Sequence, residues 1–166
     1  MATRRHKRAR LRGRAGRSPG AASHDSFAFV RVEAESLMLC WFMSRHGDEV
    51  MAEFPGLLAR LAAGPCSVAL IFRGDRVAAF AAWTDGDAAE AELLAIYSTD
   101  VRMPPWDFIF GDAGPFAAVG LDRVWLYTDR SAQARELRRH GFTKARSLFA
   151  ARGTARLVKQ IGGGAI

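Results

Sequence analysis

The sequence predicts a single α/β domain of the mixed α+β type, with a mostly antiparallel sheet of six to seven strands flanked by three to four helices. Patterns of period two alternate with patterns of period 3.6 along most of the 166 residues. Short turn segments separate three successive strand patterns, which favours antiparallel neighbours. A helical pattern stands between the fourth and fifth strand patterns, and parallel strands need a connection of that kind.

The N-terminal half of the domain combines one strand, two helices and a hairpin. Alternating aromatic and β-branched residues predict a strand, and so does a short apolar run between turns. Apolar residues three and four positions apart predict a helix, which Pro interrupts. By these criteria the elements are a strand at 27–32, helices at 35–45 and 47–62 with a break at Pro55, and strands at 67–72 and 77–83.

The C-terminal half completes the meander and then returns through two helices. Residues 100–112 contain two prolines and show no regular pattern. A Gly just after a helical pattern predicts the left-handed residue that closes a helix. The elements are a strand at 91–98, a short helix at 115–119, a strand at 124–128, a helix at 130–140, and a closing hairpin of 148–151 with 155–161.

Positive charge is concentrated before Ser18. Eight of the 24 Lys and Arg lie there without an acid, so the remaining chain has a formal charge of −1 while the whole has +7. Because this segment has only one large apolar residue, we expect a disordered basic tail over 1–23, one domain over 24–161 and a flexible end over 162–166. The basic residues are Arg4, Arg5, Lys7, Arg8, Arg10, Arg12, Arg14 and Arg17.

Such a tail has two suitable partners, nucleic acid and an acidic protein surface. Lys and Arg neutralise phosphates without reading bases, and eight contacts with duplex DNA predict a salt slope of about −7. No apolar run approaches the roughly 18 residues of a membrane span, and no secretory signal pattern is present. We therefore expect a protein made in the cytoplasm. No Cys and His spacing indicates a metal site.

The element order and one local motif together resemble the GNAT acetyltransferase superfamily over residues 27–161. The motif is the strand at 125–128 and the following helix, which ends in His140, Gly141 and Phe142. Gly141 is suited to the left-handed turn that returns the chain, and Phe142 to filling space beneath the sheet. The resemblance implies a GNAT-like fold and, in an active member, acetyl-CoA as the acyl donor.

The chain departs from the family pattern at two positions. Active members bind the cofactor pyrophosphate with a Gln/Arg-x-x-Gly-x-Gly/Ala loop after the fourth strand, where backbone N–H groups face the anion. The corresponding segment here has Gly111 and Gly114, preceded by Pro104 and Pro105, which lack N–H donors. The position at which family members have the proton-donating tyrosine is occupied by Leu137 in this chain. These departures predict that no cofactor is bound.

Three further residues are candidates for a site. Glu90 and Glu92 alternate on the fourth strand, where family members often place the carboxylate of the general base, although a solvated strand face is the alternative. Trp106 stands in the irregular segment, either as an anchor for a protein partner or as a lid over the core.

Two functions are compatible with the sequence. The preferred one is a non-catalytic GNAT-like protein whose body contacts other proteins and whose tail holds nucleic acid, with DNA preferred, or an acidic partner. Small degenerate acetyltransferase-like proteins of short-tailed bacteriophage particles resemble the chain, which implies a virion component. The alternative is a divergent acyl-CoA-dependent N-acetyltransferase that acts on a primary amine. In that case Glu90 or Glu92 is the base, and Gly111 and Gly114 receive the pyrophosphate.

Overall fold

Seven strands and five helices make up residues 26–85, 89–147 and 153–161, which are the residues described by the computed structural model. The strands are β1 Phe27–Val32, β2 Cys66–Arg73, β3 Arg76–Thr84, β4 Glu90–Ser98, β5 Arg123–Thr128, β6 Thr143–Ala145 and β7 Ala155–Gln160. The helices are α1 Leu37–Glu53, α2 Leu57–Ala63, α3 Trp106–Ile109, α4 Pro115–Ala118 and α5 Ser131–Arg139. The mixed α/β class and the mostly antiparallel sheet are confirmed.

The strands form one sheet in the order β1-β2-β3-β4-β5-β7-β6. Every neighbouring pair is antiparallel except β4 and β5, which run parallel as the helices between them predict. The parallel pairing is short, running from Glu90 beside Arg123 to Glu92 beside Trp125. From Leu93 onward, no described strand pairs with β4 on the β5 side. The two halves of the sheet therefore separate beyond Glu92.

A β-bulge lies in β4 where this separation begins. The pairing with β3 shifts by one residue between Ala82, which is opposite Ala95, and Trp83, which is opposite Leu93. Leu94 is therefore the extra residue. A bulge bends its strand and exchanges the two faces beyond it. Leu93 and Ile96 consequently enter the same layer of the core, although an unbroken strand would place them on opposite faces.

The helices cover both faces of the sheet and create two core layers. On one face α1 and α2 pack against β2, β3 and β4, with the Phe42 ring stacked at 5.7 Å from that of Phe80. On the other face the residues after β4 supply the packing, and Phe116 meets Trp83 edge-on at 5.1 Å. Burial of such rings contributes most of the hydrophobic stabilisation.

The helical segments differ from their predicted bounds. The first helix continues through Gly47 to Glu53 as one element, so Pro55 follows the end of α1 instead of dividing a second helix. Residues 106–109 form α3 inside a segment predicted to be irregular, because Pro105 occupies the N-cap, where its missing N–H is not needed. Trp41 belongs to the apolar residues of α1 and is nevertheless 48% exposed.

Several predictions about the ends of the chain and the closing hairpin concern residues outside the described ranges. The strand beside β7 is β6, and the strand predicted at 148–151 lies outside the described residues. The predicted tail over 1–23 and the predicted flexible end over 162–166 lie outside them as well. Within the described ranges, none of the helices combines the length and the apolar character that crossing a bilayer requires.

Candidate active site

Two cavities open from the gap between β4 and β5. The first, which we call the α2 cavity, has a volume of 440 Å³ and lies between the α1–α2 connection and the ends of β4 and β5. The second, the α5 cavity, has a volume of 810 Å³ and is lined by the end of β4, by the loop before α3, and by α5. Glu53, Arg130 and Gln133 line both cavities, so the two adjoin at the gap.

Glu92 lies in the wall of the α2 cavity. Its carboxylate accepts a hydrogen bond from Arg60 Nη2 of α2, and its side chain is 20% exposed. The same hydrogen bond raises the pKa of Arg60. The backbone N–H of Glu92 donates to Thr84 Oγ1 at 3.0 Å, which fixes the strand beside the carboxylate. The ion pair therefore holds an oriented carboxylate at the edge of the gap.

Glu90 has a different environment, although it lies two residues away on the same strand. Its carboxylate pairs with Arg123 Nη2 at 3.2 Å at the outer end of the β4–β5 pairing. It lines neither the α2 cavity nor the α5 cavity. The structure thus brings only one of the two predicted carboxylates to the gap, and the catalytic role of either stays a prediction.

Tyr97 contributes a phenol to the wall of the α5 cavity. Its hydroxyl donates to Glu49 Oε2 of α1 at 2.7 Å. Burial, with the hydrogen bond to Glu49, raises the pKa of Tyr97 to about 12, so the phenol remains protonated at neutral pH. Leu137 lies in the same wall and is 7% exposed. The cavity therefore has a protonated hydroxyl, but on β4 instead of α5.

Arg130 joins the two halves of the sheet at the open end of the gap. Its Nη2 donates to the carbonyl oxygen of Ala52 near the C-terminus of α1 at 2.7 Å, where the helix dipole favours a cation. Its backbone N–H donates to Thr128 Oγ1 at 3.1 Å, and that hydroxyl donates in turn to Gln133 Oε1. These contacts fix the start of α5 against β5.

The loop after β4 binds its own carboxylate. Asp100 Oδ1 accepts hydrogen bonds from the backbone N–H groups of Arg102 and Met103, each at 3.0 Å. Asp100 Oδ2 pairs with Arg73 Nη1 at 2.9 Å. The N–H groups of Met103 and Arg102, followed by Arg73, lower the pKa of Asp100. Two backbone N–H groups of this loop are therefore satisfied within the chain.

Gly111 and Gly114 lie where the chain folds back against α3. Their N–H groups donate to the carbonyl oxygens of Phe108 and Gly111. A Cβ at Gly111 would lie 2.6 Å from the carbonyl oxygen of Asp107, and one at Gly114 would overlap that of Phe108. Neither glycine lines the α2 or the α5 cavity. Close packing accounts for both glycines, and their predicted contact with a pyrophosphate stays a prediction.

Trp106 lies at the wall of the α5 cavity and is partly buried. Its ring meets His140 edge-on at 6.3 Å, and it packs against the core beneath α3. The eight basic residues predicted to bind a partner, from Arg4 to Arg17, lie outside the described residues. Among the described residues, no group of three or more His, Cys, Asp or Glu is placed to hold a metal ion.

Sequence reasoning missed four side chains of the site, which are Arg60, Arg130, Tyr97 and Asp100. Arg60 belongs to a helix whose sequence pattern marks only its apolar face, and its partner Glu92 is 32 residues away. Tyr97 fits the strand pattern as a packing aromatic. One local signal was available, because Asp followed by two donors at the end of a strand is typical of an Asx turn.

Comparison with known proteins finds solved structures with a similar fold but no match to a protein family or to a curated protein. No protein-family model matches the chain, and no curated protein matches it. The Campylobacter jejuni N-acetyltransferase PseH in complex with acetyl coenzyme A is similar in structure, with a TM-score of 0.52 and 9% identity over 81% of this chain and 99% of that chain.

Two further solved structures agree with this comparison. The IAA acetyltransferase from Bacillus cereus has a TM-score of 0.51 and 10% identity, covering 82% of this chain and 100% of its own. The ribosomal-protein-S18-alanine N-acetyltransferase from Escherichia coli has a TM-score of 0.50 and 14% identity, covering 84% of this chain and 97% of its own. At such identities the likeness shows the fold alone, which is the GNAT acetyltransferase fold.

The packing role of Gly114 predicts a stability effect. Gly114→Ala places a methyl group against backbone carbonyls that cannot move without distorting α3, so we expect a loss of about 1 to 3 kcal/mol. Gly64→Ala is the control, because no atom lies within 4 Å of its added Cβ, and we expect a change within about 0.5 kcal/mol. Urea denaturation measures both, and equal effects would contradict the packing role.

The hydrogen bonds of Asp100 predict acid sensitivity. Because its pKa is lowered in the folded state, its contribution to stability is present above the ordinary Asp pKa of about 4 and is lost as pH falls through the folded value. Asp100→Asn lacks this contribution. We therefore expect the difference in unfolding free energy between wild type and variant to shrink between pH 5 and pH 2. A difference independent of pH would show that the carboxylate charge is unimportant there.

Proposed function

We propose that the protein is a divergent N-acyltransferase that transfers an acyl group from an acyl-CoA thioester to a primary amine. The observation that carries the proposal is the β5-facing edge of β4 at residues 93–98, which pairs with no strand of the described residues although β4 lies in the middle of the sheet. Peptide groups at such an edge need hydrogen-bond partners. The pantetheine arm of an acyl-CoA has two amides that can provide them, as a bound peptide does in strand addition.

The α5 cavity fits the arm of the donor. It follows the unpaired edge of β4, and its wall includes the apolar side chains of Ile96, Leu137 and Trp106. The adjoining α2 cavity carries Glu92 and is suited to the amine. The phosphate end of the acyl-CoA fits less well, because two backbone N–H groups of the loop already donate to Asp100. Contact with the phosphates is accordingly assigned to side chains at the rim, such as Arg139.

Glu92 at the gap can accept the proton that this reaction releases from the amine. An acyl-CoA supplies a carbonyl carbon to which the amine nitrogen bonds while the C–S bond breaks. Glu92, held by Arg60, accepts the proton that the amine loses, directly or through a water molecule. The leaving thiolate takes its proton from water, because the Tyr97 hydroxyl already donates to Glu49 and its pKa of about 12 makes it a weaker acid than a thiol. The fold shared with acetyltransferases, one of them solved with acetyl coenzyme A, supports this assignment by analogy.

Occupation of the α5 cavity is testable by blocking it. Ala132 is exposed and lines this cavity, so Ala132→Trp should obstruct the cavity without disturbing the core. Ala59→Trp is the matched control, because Ala59 is exposed on α2 and lines neither cavity. In calorimetric titration with acetyl-CoA we expect micromolar binding by wild type and by the control, and at least tenfold weaker binding by Ala132→Trp. Absence of binding by wild type would overturn the proposal.

The role of Glu92 is testable against its neighbour on the same strand. Glu92→Gln should lower kcat/KM at neutral pH by about 100-fold, because the amide cannot accept a proton. Glu90→Gln makes the same chemical change outside the cavities and should alter kcat/KM less than twofold. Release of the CoA thiol with a set of primary amines measures both. Equal losses in the two variants would refute the assignment of the base.

A second function is favoured by the loop after β4. Asp100 accepts two backbone N–H groups of this loop, and Leu137 stands in the family's proton-donor position. Both features are suited to a non-catalytic protein that binds partners. In that function the basic tail holds nucleic acid or an acidic partner, and the chain would be a component of a bacteriophage particle. The concentration of charge before Ser18 supports only the tail contact. Without acetyl-CoA binding, tail-dependent binding of duplex DNA with a salt slope of about −7 would favour this function.

A further inference from the structure

A third cavity lies at the β6–β7 end of the sheet and is lined by cations. Its volume is 500 Å³, and we call it the cationic cavity after Lys144, Arg146 and Arg156, which line it with Ser147 and Thr154. No acidic side chain in the described ranges pairs with any of these three cations. Three like charges without a counterion favour the binding of an anion.

The environment of Arg156 gives independent support for a bound anion. Its guanidinium lies 4.8 Å from the centroid of the Trp125 ring, and its Nε is buried without a hydrogen-bond partner among the described residues. The missing hydrogen bond leaves the guanidinium incompletely satisfied, and because Arg156 lines the cavity, an oxyanion bound there can form a charge-assisted contact with it. Stacking on an aromatic ring also holds the planar guanidinium in one orientation. The site is therefore oriented as well as charged.

The cationic cavity adjoins the proposed amine site. Thr154 lines both the cationic cavity and the α2 cavity. Glu92 of β4 is paired with Trp125 of β5, and Tyr127 of β5 with Arg156 of β7, so their side chains lie on one face of the sheet. β5 separates β4 from β7, so two strand spacings, about 10 Å, lie between Glu92 and Arg156 across the sheet. Arg156 is also displaced by two residues along β5, but its guanidinium lies back over Trp125, the residue beside Glu92, so its separation from Glu92 is about 10 Å.

We propose that the cationic cavity binds an anionic group, a carboxylate or a phosphate, that the acceptor amine carries about 10 Å from its nitrogen. This inference rests on the proposed acyltransferase function and defines its acceptor class. The amine lies at Glu92, and the anion lies at Arg146 and Arg156. A compound whose carboxylate is adjacent to its amine is too short to reach both. An extended chain advances about 1.2 Å per bond, so six to eight carbons suit the spacing.

The kinetic test uses amines that differ only in charge and length. We expect wild type to have at least tenfold higher kcat/KM for 8-aminooctanoate than for octylamine or for 3-aminopropanoate. Arg146→Gln and Arg156→Gln should raise KM for 8-aminooctanoate at least tenfold, with kcat within twofold and octylamine kinetics unchanged. Arg146 is exposed, so its replacement should not prevent folding. Arg135→Gln is the control, because Arg135 is exposed on α5 and lines none of the three cavities.

A binding test separates this inference from the acyltransferase proposal. Because Arg156 lies over Trp125, inorganic phosphate should change the tryptophan fluorescence saturably in wild type and in Arg135→Gln. We expect the change to be lost in Arg156→Gln and weakened at least tenfold in Arg146→Gln. 8-Aminooctanoate should compete with phosphate. If phosphate and 8-aminooctanoate bind but no amine is acylated, the acyltransferase proposal fails and the anion site stands.

Three results would overturn the inference. One is equal use of octylamine and 8-aminooctanoate by wild type. Another is a loss of activity in the Arg146 and Arg156 variants that is the same for charged and neutral amines. The third is a site that responds to duplex DNA and not to 8-aminooctanoate, since that would assign the cations to a nucleic acid.

Discussion

The short parallel pairing of β4 with β5 is the constraint on which the rest of the structure depends. Only the stretch from Glu90 to Glu92 holds the two halves of the sheet together by strand hydrogen bonds. The bulge at Leu94 bends β4 immediately after it. On the other side of the gap, β5 and β7 pair without a register shift from Arg123 to Thr128. The two halves of the sheet therefore meet at one end and leave a gap at the other.

The polar contacts of the candidate site surround that gap. Arg60 reaches Glu92 from α2, Tyr97 reaches Glu49 of α1, and Arg130 reaches the end of α1 from the start of α5. Each contact joins elements that are distant in sequence, and each fixes a side chain that would otherwise be solvated. Fixed groups of this kind bind and orient a ligand without losing side-chain entropy at the moment of binding. At the far end, Asp100 fixes the loop in the same manner.

Much of the fold could be predicted because its signals are local. The strand at 27–32 has the predicted bounds, and β2 to β5 differ from theirs by one residue at most ends. Gly141 has a φ of 85° and Phe142 is 2% exposed, as their places after α5 require. The failures have physical causes too. α1 runs through Gly47 because packing of Phe42 and Val50 outweighs the cost of one glycine, which is about 1 kcal/mol.

The sequence by itself determined the type and order of the elements, and with them the GNAT fold, because hydrophobic period and turn residues act over a few positions. It also supplied two equivalent carboxylates, Glu90 and Glu92. Only the tertiary structure distinguishes their surroundings, since distant segments bring Arg123 to Glu90 and Arg60 to Glu92. The opening of the gap likewise depends on a bulge in the β3–β4 pairing. The register of two paired strands depends on both of them, so neither strand sequence alone determines it.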